Sequence, residues 1–532
     1  MDHQNSDLWQ RFQQYYTEYP SIGLALDLSR MNLSAAFLAA MAPKLEVAFK
    51  AMVELEAGSI ANPDENRMVG HYWLRNPSLA PTPEIRKEIE EMVAGITSFA
   101  KDIHTGRIVG QNGAFKNLLV IGIGGSALGP QFVSRALGHP RKDRLKVNFI
   151  DNTDPDGIDG VLAELEGQLG RTLCVVISKS GSTKETRNGM IEVNSAYKSA
   201  DLDFSKHCVA ITGAGSALDD HAKQSNWLCR FPMWDWVGGR TSELSAVGLL
   251  PAALQGIDIQ SLIAGAKACD ALTRQAVVSA NPAAQIALAI YESGNGKGEK
   301  NMVVLPYKDR LELFSKYLQQ LIMESLGKER NLSNLVVNQG LSVFGNKGAT
   351  DQHSYIQQLR DGINNFFAVF IEVLKDRDGD SLFVEPEITS GDYLSGFFLG
   401  TRKALHENGR SSITITIKEL SPFTIGVLIA LFERVVGLYA QLIGVNAYHQ
   451  PGVEAGKKAA ADVIVFQRKI LQFLSGAKGC EHSAIEIATH IGAINQVESV
   501  FKICNHLAAN PDRRVNKSPG SSAFDARYSL LA

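Results

Sequence analysis

Hydrophobic residues in the first hundred positions recur every three to four residues. Two examples are AAFLAAMAPKLEVAFKAMVELEAG (35–58) and PEIRKEIEEMVAGITSFAKDI (83–103). This spacing puts apolar side chains on one face of a helix. The pattern therefore predicts a helical N-terminal segment over residues 1–113.

From Asn117 the pattern changes to short apolar runs that end in glycine, serine or aspartate and are separated by helical segments. The runs are NLLVIGIGG, VNFID, LCVVISKSG and HCVAITG. Apolar strands alternating with helices are typical of a parallel sheet with crossover helices. We expect a first α/β domain over residues 114–270.

A second set of runs follows a helical segment at about 242–293. It comprises NMVVLPY, NLVVN, FFAVFIEVL and SSITITI, and predicts a second α/β domain over residues 271–465. No close sequence repeat relates the two sets. Residues 466–532 are predicted to be helical and then, after Pro511, an extended or mobile tail. The expected fold class is α/β, with two tandem α-β-α sandwich domains, mainly parallel sheets and helical segments at both ends.

Charge and apolar content exclude several classes of protein. The chain has 53 basic and 56 acidic side chains, so no global field favours nucleic acid or an anionic membrane. The longest apolar stretch, 423–445, is interrupted by Glu433 and Arg434, which favours a buried helix over a membrane span. The N-terminus has no signal-peptide pattern and none of the six cysteines forms a C-x-x-C pair, so we expect a cytoplasmic protein with reduced thiols.

A glycine-rich loop, VIGIGGSALGP (120–130), follows the first strand of the predicted sheet. Glycines allow the backbone to approach an anion, and the following helix N-terminus presents free N–H groups. Gly122, Gly124 and Ala127 also match a relaxed dinucleotide fingerprint, with Asp151 at the end of the next strand. At this point an NAD-dependent oxidoreductase, or a turn that only packs helix on strand, remains open.

A second loop, SKSGSTKET (178–186), carries hydroxyl groups at the start of a predicted helix. Hydroxyls and backbone amides at a helix N-terminus suit a phosphate dianion. The ordinary alternative is that a serine or threonine caps the helix. Several hydroxyls so close together exceed what one cap requires, and a dinucleotide fold does not need them.

These loops together resemble the sugar isomerase (SIS) domain family of sugar-phosphate isomerases. Within it, DWVGGRTSELSAVGLLP (235–251) and NAYHQPGVEAGKKAA (446–460) resemble the signatures of the glucose-6-phosphate isomerase family, and MESLGKE and GNKGATDQHSYIQQL complete the set. The matches span residues 122–457. The resemblance implies interconversion of glucose 6-phosphate and fructose 6-phosphate, in glycolysis and gluconeogenesis, by ring opening and proton transfer through a cis-enediolate.

The resemblance assigns four residues to the chemistry. Glu324 would carry the proton between C2 and C1, and Arg240, after two glycines, could stabilise the enediolate charge. His353 and Lys457 would serve ring opening. The resemblance places His353 in the active site of a partner subunit, so we expect a homodimer.

Substrate contacts follow from the same resemblance. They are Gly125, Ser126, Ser178, Lys179, Ser180, Thr183, Gly239, Gln320 and Gln450. No H-E-x-x-H motif and no His-x-His pair on a strand accompany them, so we expect neither a metal nor a cofactor.

Three further functions remain as alternatives. A non-catalytic sugar-phosphate sensor would keep the phosphate loop but would not need the acid and base groups. Within the family, a dual glucose/mannose phosphate isomerase or a sugar-amine isomerase is possible, and activity on mannose 6-phosphate stays open.

Overall fold

The computed structural model describes the backbone of residues 2–531. The side chains of residues 2–6, 454, 455, 457 and 458 lie outside the described residues. The chain divides into two compact units, residues 1–449 and 450–532. Both large sheets lie in the first unit, and the domain limits predicted at residues 113, 270 and 465 stay predictions.

The first unit alternates strands and helices. Its strands are β1 (Tyr16–Tyr19), β2 (Leu24–Arg30), β3 (Asn117–Ile121), β4 (Lys146–Ile150), β5 (Thr172–Ser178), β6 (Cys208–Thr212), β7 (Cys229–Pro232), β8 (Asn301–Pro306), β9 (Lys328–Arg330), β10 (Val336–Gln339), β11 (Val343–Phe344), β12 (Phe366–Val373), β13 (Phe383–Glu385), β14 (Ile388–Thr389) and β15 (Ser412–Ile417).

Fourteen described α-helices accompany these strands. They are α1 (Asp2–Tyr15), α2 (Ala35–Glu56), α3 (Pro83–His104), α4 (Leu128–Leu137), α5 (Pro155–Glu164), α6 (Lys184–Ser199), α7 (Ala217–Gln224), α8 (Ala246–Gln255), α9 (Ile259–Thr273), α10 (Pro282–Ser293), α11 (Phe314–Leu318), α12 (Ile356–Asp361), α13 (Ser390–Glu407) and α14 (Pro422–Ile443).

A five-stranded sheet in the order β4-β3-β5-β6-β7 forms the first α/β layer, and every neighbouring pair is parallel. All residues of β3, β5 and β6 are buried. A parallel strand covered on both faces requires such a continuous apolar run, and this is why the sequence pattern located these strands. The first predicted sheet is confirmed.

The second large sheet has the order β1-β2-β15-β12-β8-β11. Strands β15, β12, β8 and β11 are parallel, whereas β2 pairs antiparallel with β15 and β1 with β2. The predicted helical segment over 1–113 therefore also contains two strands of this sheet. The run NLVVN forms β10, but β10 pairs antiparallel with β9 in a separate ribbon, so its expected place in the parallel sheet was wrong.

Helices α9 and α14 pack closely beside the sheets. A Cβ on Gly426 would lie 2.0 Å from the Leu262 carbonyl oxygen, and one on Gly265 would lie 1.9 Å from that of Phe423. Small residues at this crossing let the two backbones touch. Helix α14 is long and apolar enough to cross a membrane by length and composition, but 94% of its apolar window is buried inside the protein, as predicted.

A buried ionic cluster joins α14 to the neighbouring elements. The Arg434 guanidinium lies 2.7 Å from the Asp270 carboxylate and also contacts Glu56, while Arg75 lies 2.9 Å from Glu433 and 3.5 Å from Asp270. Although burial opposes ionisation, the arginines hold the pKa of Asp270 below its usual value. Asp270 is therefore the shared counter-charge of two buried cations.

The second unit is a small α/β unit. It contains α15 (Pro451–Gly476), β16 (His482–Ser483), α16 (Ala484–His490), α17 (Val497–Ala509), β17 (Val515–Ser518) and β18 (Arg527–Leu530). Strand β18 pairs antiparallel with both β16 and β17. The predicted tail beyond Pro511 is thus extended, but it forms strands of a three-stranded sheet because Val515 and Tyr528 are buried among apolar side chains of α15, α16 and α17.

We predict that Asp270→Asn lowers the free energy of unfolding by about 3–5 kcal/mol, because it leaves two buried arginines without their shared counter-charge. Urea-induced unfolding followed by circular dichroism measures the change. The control Glu54→Gln alters an exposed carboxylate 3.9 Å from Lys50, and it should change the free energy by less than about 0.5 kcal/mol. Equal effects of the two substitutions would contradict the role given to the cluster.

Candidate active site

The glycine-rich loop follows β3 and packs against the segment that carries Arg240. A Cβ on Gly125 would lie 2.0 Å from the Gly239 carbonyl oxygen and 2.9 Å from the Arg240 backbone nitrogen. A Cβ on Gly124 would lie 3.2 Å from Gln320 Nε2. Because Gly124 and Gly125 have no side chains, the glycine-rich loop can approach Gly239, Arg240 and Gln320 closely. Four residues predicted from the sequence, namely Gly125, Gly239, Arg240 and Gln320, therefore lie together.

The hydroxyl loop follows β5 and leads into α6. Thr183 occupies the N-cap position but makes no side-chain capping hydrogen bond. Its hydroxyl instead accepts a hydrogen bond from Ser178 at 3.3 Å, and Ser180 and Ser182 pair at 2.9 Å. The side-chain capping considered in the sequence analysis is therefore absent at Thr183 among the described residues, and the helix N-terminus remains suited to an anion.

Lys179 connects the hydroxyl loop to the segment before Arg240. Its Nζ donates to the carbonyl oxygens of Asp235 and Val237, each at 3.0 Å, and lies 3.6 Å from the Asp235 carboxylate. Burial lowers the pKa of Lys179, and Asp235 opposes that change. The turn at 178–183 is thereby held next to Gly238-Gly239-Arg240.

The Arg240 guanidinium is the centre of the site and is only 7% exposed. Its Nη1 lies 3.2 Å from Glu324 Oε2, and its Nε donates to the Ser325 hydroxyl at 2.9 Å. Its Nη2 donates to the carbonyl oxygens of Ala447 and His449 at 2.6 and 3.0 Å. One buried cation therefore fixes the orientation of the Glu324 carboxylate and of the 447–449 segment.

Glu324 is the last residue of a π-helical turn, Gln319–Glu324, that follows α11. The helical segment therefore widens from an α-helix to a π-helix just before the carboxylate. Leu321 and Ile322 are buried on one side, while the Glu324 side chain keeps 24% of its surface exposed. The carboxylate is therefore accessible to a small molecule, although the backbone that carries it is packed against the core. Single π-helical turns are frequent at functional sites.

Lys328 was missed by sequence reasoning. Its Nζ donates to the carbonyl oxygens of Glu324 at 2.6 Å and of His449 at 3.1 Å. Burial, with the nearby Arg240, lowers the pKa of Lys328 to about 7. The signal that could have found it was its place four residues after Glu324 in MESLGKE.

The other residues predicted from the sequence are His353, Ser126, Gln450 and Lys457. His353 is exposed in a 3-10 turn, Asp351–His353, and no contact joins its side chain to Arg240 or Glu324 among the described residues. Ser126 is buried in the glycine loop. Gln450 begins the second unit, and the side chain of Lys457, on α15, lies outside the described residues.

A dinucleotide site and a metal site are the two other kinds of site to consider. Asp151, which a dinucleotide site would direct at a ribose, accepts a hydrogen bond from Gln131 at 2.8 Å. Within the described part of the chain, no group of three or more His, Cys, Asp or Glu side chains is arranged to hold a metal ion.

Comparison with known proteins identifies the family of this chain. The family model for phosphoglucose isomerase matches residues 27–403 and 399–473. Glucose-6-phosphate isomerase from Geobacter sulfurreducens is 60% identical over 98% of this chain and 99% of its own length, and that from Trichormus variabilis is 59% identical over 94% and 95%.

A solved structure shows the same fold. The crystal structure of a glucose-6-phosphate isomerase from Chlamydia trachomatis matches with a TM-score of 0.77 and 26% identity, covering 86% of this chain and 90% of that one. The family match extends over most of the chain, and the relatives align along almost their entire length. The chain therefore belongs to the phosphoglucose isomerase family.

Proposed function

We propose that this chain interconverts glucose 6-phosphate and fructose 6-phosphate, a step of glycolysis and gluconeogenesis, by proton transfer through a cis-enediolate. The observation that carries the proposal is the 3.2 Å pair of Arg240 and Glu324, joined through Lys179 to a hydroxyl-rich helix N-terminus. A phosphate-binding end and an acid/base end are thereby connected. No cofactor or metal is required for this chemistry.

The hydroxyl loop binds the substrate phosphate. Ser178, Ser180 and Thr183 supply hydroxyls, the first turn of α6 supplies backbone N–H groups, and Lys179 adds positive charge. Ser180 is exposed, so its hydroxyl can leave Ser182 for a phosphate oxygen. Anchoring the phosphate fixes the distance from the sugar carbons to the rest of the site.

Glu324 carries the proton. In the open-chain aldose its carboxylate removes the proton from C2, and the electron pair forms the C1–C2 double bond while the C1 oxygen becomes negative. Return of the same proton to C1 and transfer of the O2 proton to O1 give the ketose. Gly125, Ser126, Gly239, Gln320 and Gln450 line the sugar.

Arg240 stabilises the enediolate. A guanidinium that is already fixed by two carbonyl oxygens and a serine does not need to reorganise as charge develops. The same fixed position holds the Glu324 carboxylate in place before the substrate arrives. Arg240 therefore acts both on the acid/base group and on the intermediate.

We assign ring opening to His353 and Lys457. The active form is a cytoplasmic homodimer in which His353 of each subunit enters the active site of the partner. Support comes from the exposed position of His353, whose side chain makes no contact with Arg240 or Glu324 of its own chain among the described residues. An exposed imidazole can move a proton near neutral pH if a neighbouring subunit covers it.

The alternatives are less well supported. An oxidoreductase does not use the Arg240–Glu324 pair, and its expected ribose partner Asp151 is engaged by Gln131. A sensor has no need of a guanidinium that orients a carboxylate. Membership of the phosphoglucose isomerase family favours the isomerase over both. Activity on mannose 6-phosphate is left to a direct assay.

We predict that Glu324→Gln lowers kcat at least ~100-fold, because the amide cannot accept the C2 proton. A coupled assay with fructose 6-phosphate measures the rate, and calorimetry should show that the sugar phosphate still binds. Glu329→Gln, an exposed carboxylate five residues further on, is the matched control and should behave as wild type. Near-normal turnover in Glu324→Gln would exclude the assigned role.

We predict that Ser180→Ala raises KM for fructose 6-phosphate about tenfold and leaves kcat within about threefold, because a hydroxyl that binds phosphate contributes equally before and during the chemical step. Steady-state kinetics measure both constants. The control Ser199→Ala removes an exposed hydroxyl at the other end of α6. An unchanged KM in Ser180→Ala would be evidence against the phosphate loop.

We predict that hybrids of His353→Ala and Glu324→Gln subunits recover activity, because one site of each hybrid dimer has both groups intact. Random mixing in equal amounts should restore about a quarter of the wild-type rate. Hybrids are confirmed by differently tagged subunits and assayed against each variant refolded alone. Inactive hybrids would contradict a site shared between chains.

A further inference from the structure

A polar cavity of about 320 Å³ opens where β2 ends and β15 begins. Its lining includes Arg11 from α1, Arg30 from β2, and His406 and Arg410 around the end of α13, and no aspartate or glutamate is among the described residues that line it. It lies at the amino end of β15. The glycine and hydroxyl loops of the candidate active site instead follow the carboxyl ends of β3 and β5 in the other sheet.

The arginines of this cavity are held by backbone carbonyl groups and not by carboxylates. Arg11 Nε donates to the Ser29 carbonyl oxygen at 2.7 Å, and its Nη2 contacts that of Met31. Arg410 is 9% exposed and donates to three carbonyl oxygens at 2.6 to 3.0 Å, those of Leu359, Arg360 and Gly362. Carbonyl groups orient these cations without cancelling their charge.

Arg30 has still fewer partners. Its Nη1 lies 3.5 Å from His406 Nε2, and among the described residues no carboxylate lies within salt-bridge distance of Arg11, Arg30 or Arg410. The nearby Asp27 pairs with Arg402. The three arginines thus line one cavity without a paired carboxylate among the described residues.

The electrostatic consequence is visible in the neighbouring groups. Burial, Arg402 and Arg11 lower the pKa of Arg30, although Asp27 opposes this. Burial, Arg30 and Arg402 lower the pKa of His406. An excess of positive charge in a partly enclosed site is costly unless an anion is present.

We propose that this cavity binds a small phosphate-bearing anion, with Arg30 as its principal contact and Arg11 and Arg410 as fixed charges beside it. Guanidinium groups match phosphate oxygens with two parallel hydrogen bonds. The Nε and Nη2 of Arg30 have no partner among the described residues and are available for such a pair. The volume is that of a pocket for a small molecule.

Calorimetric titration of the full chain with inorganic pyrophosphate tests the proposal. Arg30→Gln should lose one bound pyrophosphate per chain, or weaken that site at least tenfold, relative to wild type. Inhibition of the isomerase by pyrophosphate acting at Ser178–Thr183 should be unchanged in the variant. Arg141→Gln, which removes an exposed charge elsewhere, should bind as wild type.

Thermal unfolding and isomerase activity of Arg30→Gln establish that the variant folds. If it does not, Arg30→Lys, which keeps the charge and loses the two-pronged geometry, should still weaken the site severalfold. Equal stoichiometry and affinity in wild type and Arg30 variants would overturn the proposal. A second result would also overturn it: wild-type protein binds no pyrophosphate, and Arg30→Glu changes the sedimentation of the oligomer. The occupant of the cavity would then be an acidic segment of a second copy of the chain.

Discussion

The contact between the Arg240 guanidinium and the Glu324 carboxylate is the interaction on which the rest of the site depends. Arg240 is buried and reaches two separate segments: the end of the π-helical turn, through Glu324 and the adjacent Ser325, and residues 447–449, through two carbonyl oxygens. A buried cation without these partners would be strongly destabilising. The need to satisfy it therefore forces the segments into one arrangement, and that arrangement aims the carboxylate.

Close backbone contact extends this arrangement to the phosphate end. Gly125 touches Gly239 with no space for a Cβ, and Lys179 is bonded to the carbonyl oxygens of Asp235 and Val237 just before Arg240. The loops after two strands of the first sheet are thus fixed to the residue that orients Glu324. A hexose phosphate spans such a site only when both ends are fixed relative to one another, because misplacement by about 1 Å costs much of the catalytic rate.

The parts of the fold that could be predicted from sequence are those set by local pattern. Strands buried on both faces require continuous apolar runs, so β3, β5 and β6 were evident. The pairing of strands could not be predicted in the same way. The run NLVVN specifies a strand but not its neighbour, and in the structure this strand, β10, pairs with β9. Likewise the apolar strand β2 was hidden within a predominantly helical segment, and its partner β15 lies almost four hundred residues away.

In the candidate site, too, features set by local sequence could be predicted, and features set by long-range contacts could not. Arg240 and Glu324 could be proposed because short motifs surround them, and the structure brings them together. The π-helical turn and the carbonyl partners of Lys328 follow from hydrogen bonds that depend on the folded chain, so no spacing of residue types specifies them.

The cavity at Arg30 differs in charge balance from the buried ionic cluster and from the candidate active site. Arg434 and Arg75 are buried against Asp270 and neighbouring carboxylates, and Arg240 has Glu324, so these three buried arginines have carboxylate counter-charges. The cavity at Arg30 departs from this rule. Its cations are oriented by carbonyl groups, which fix direction but not net charge, and they are assembled from positions far apart in the sequence. The amino end of β15 therefore carries three arginines that are not paired with any described carboxylate, and an external anion is the simplest physical means of balancing their charge.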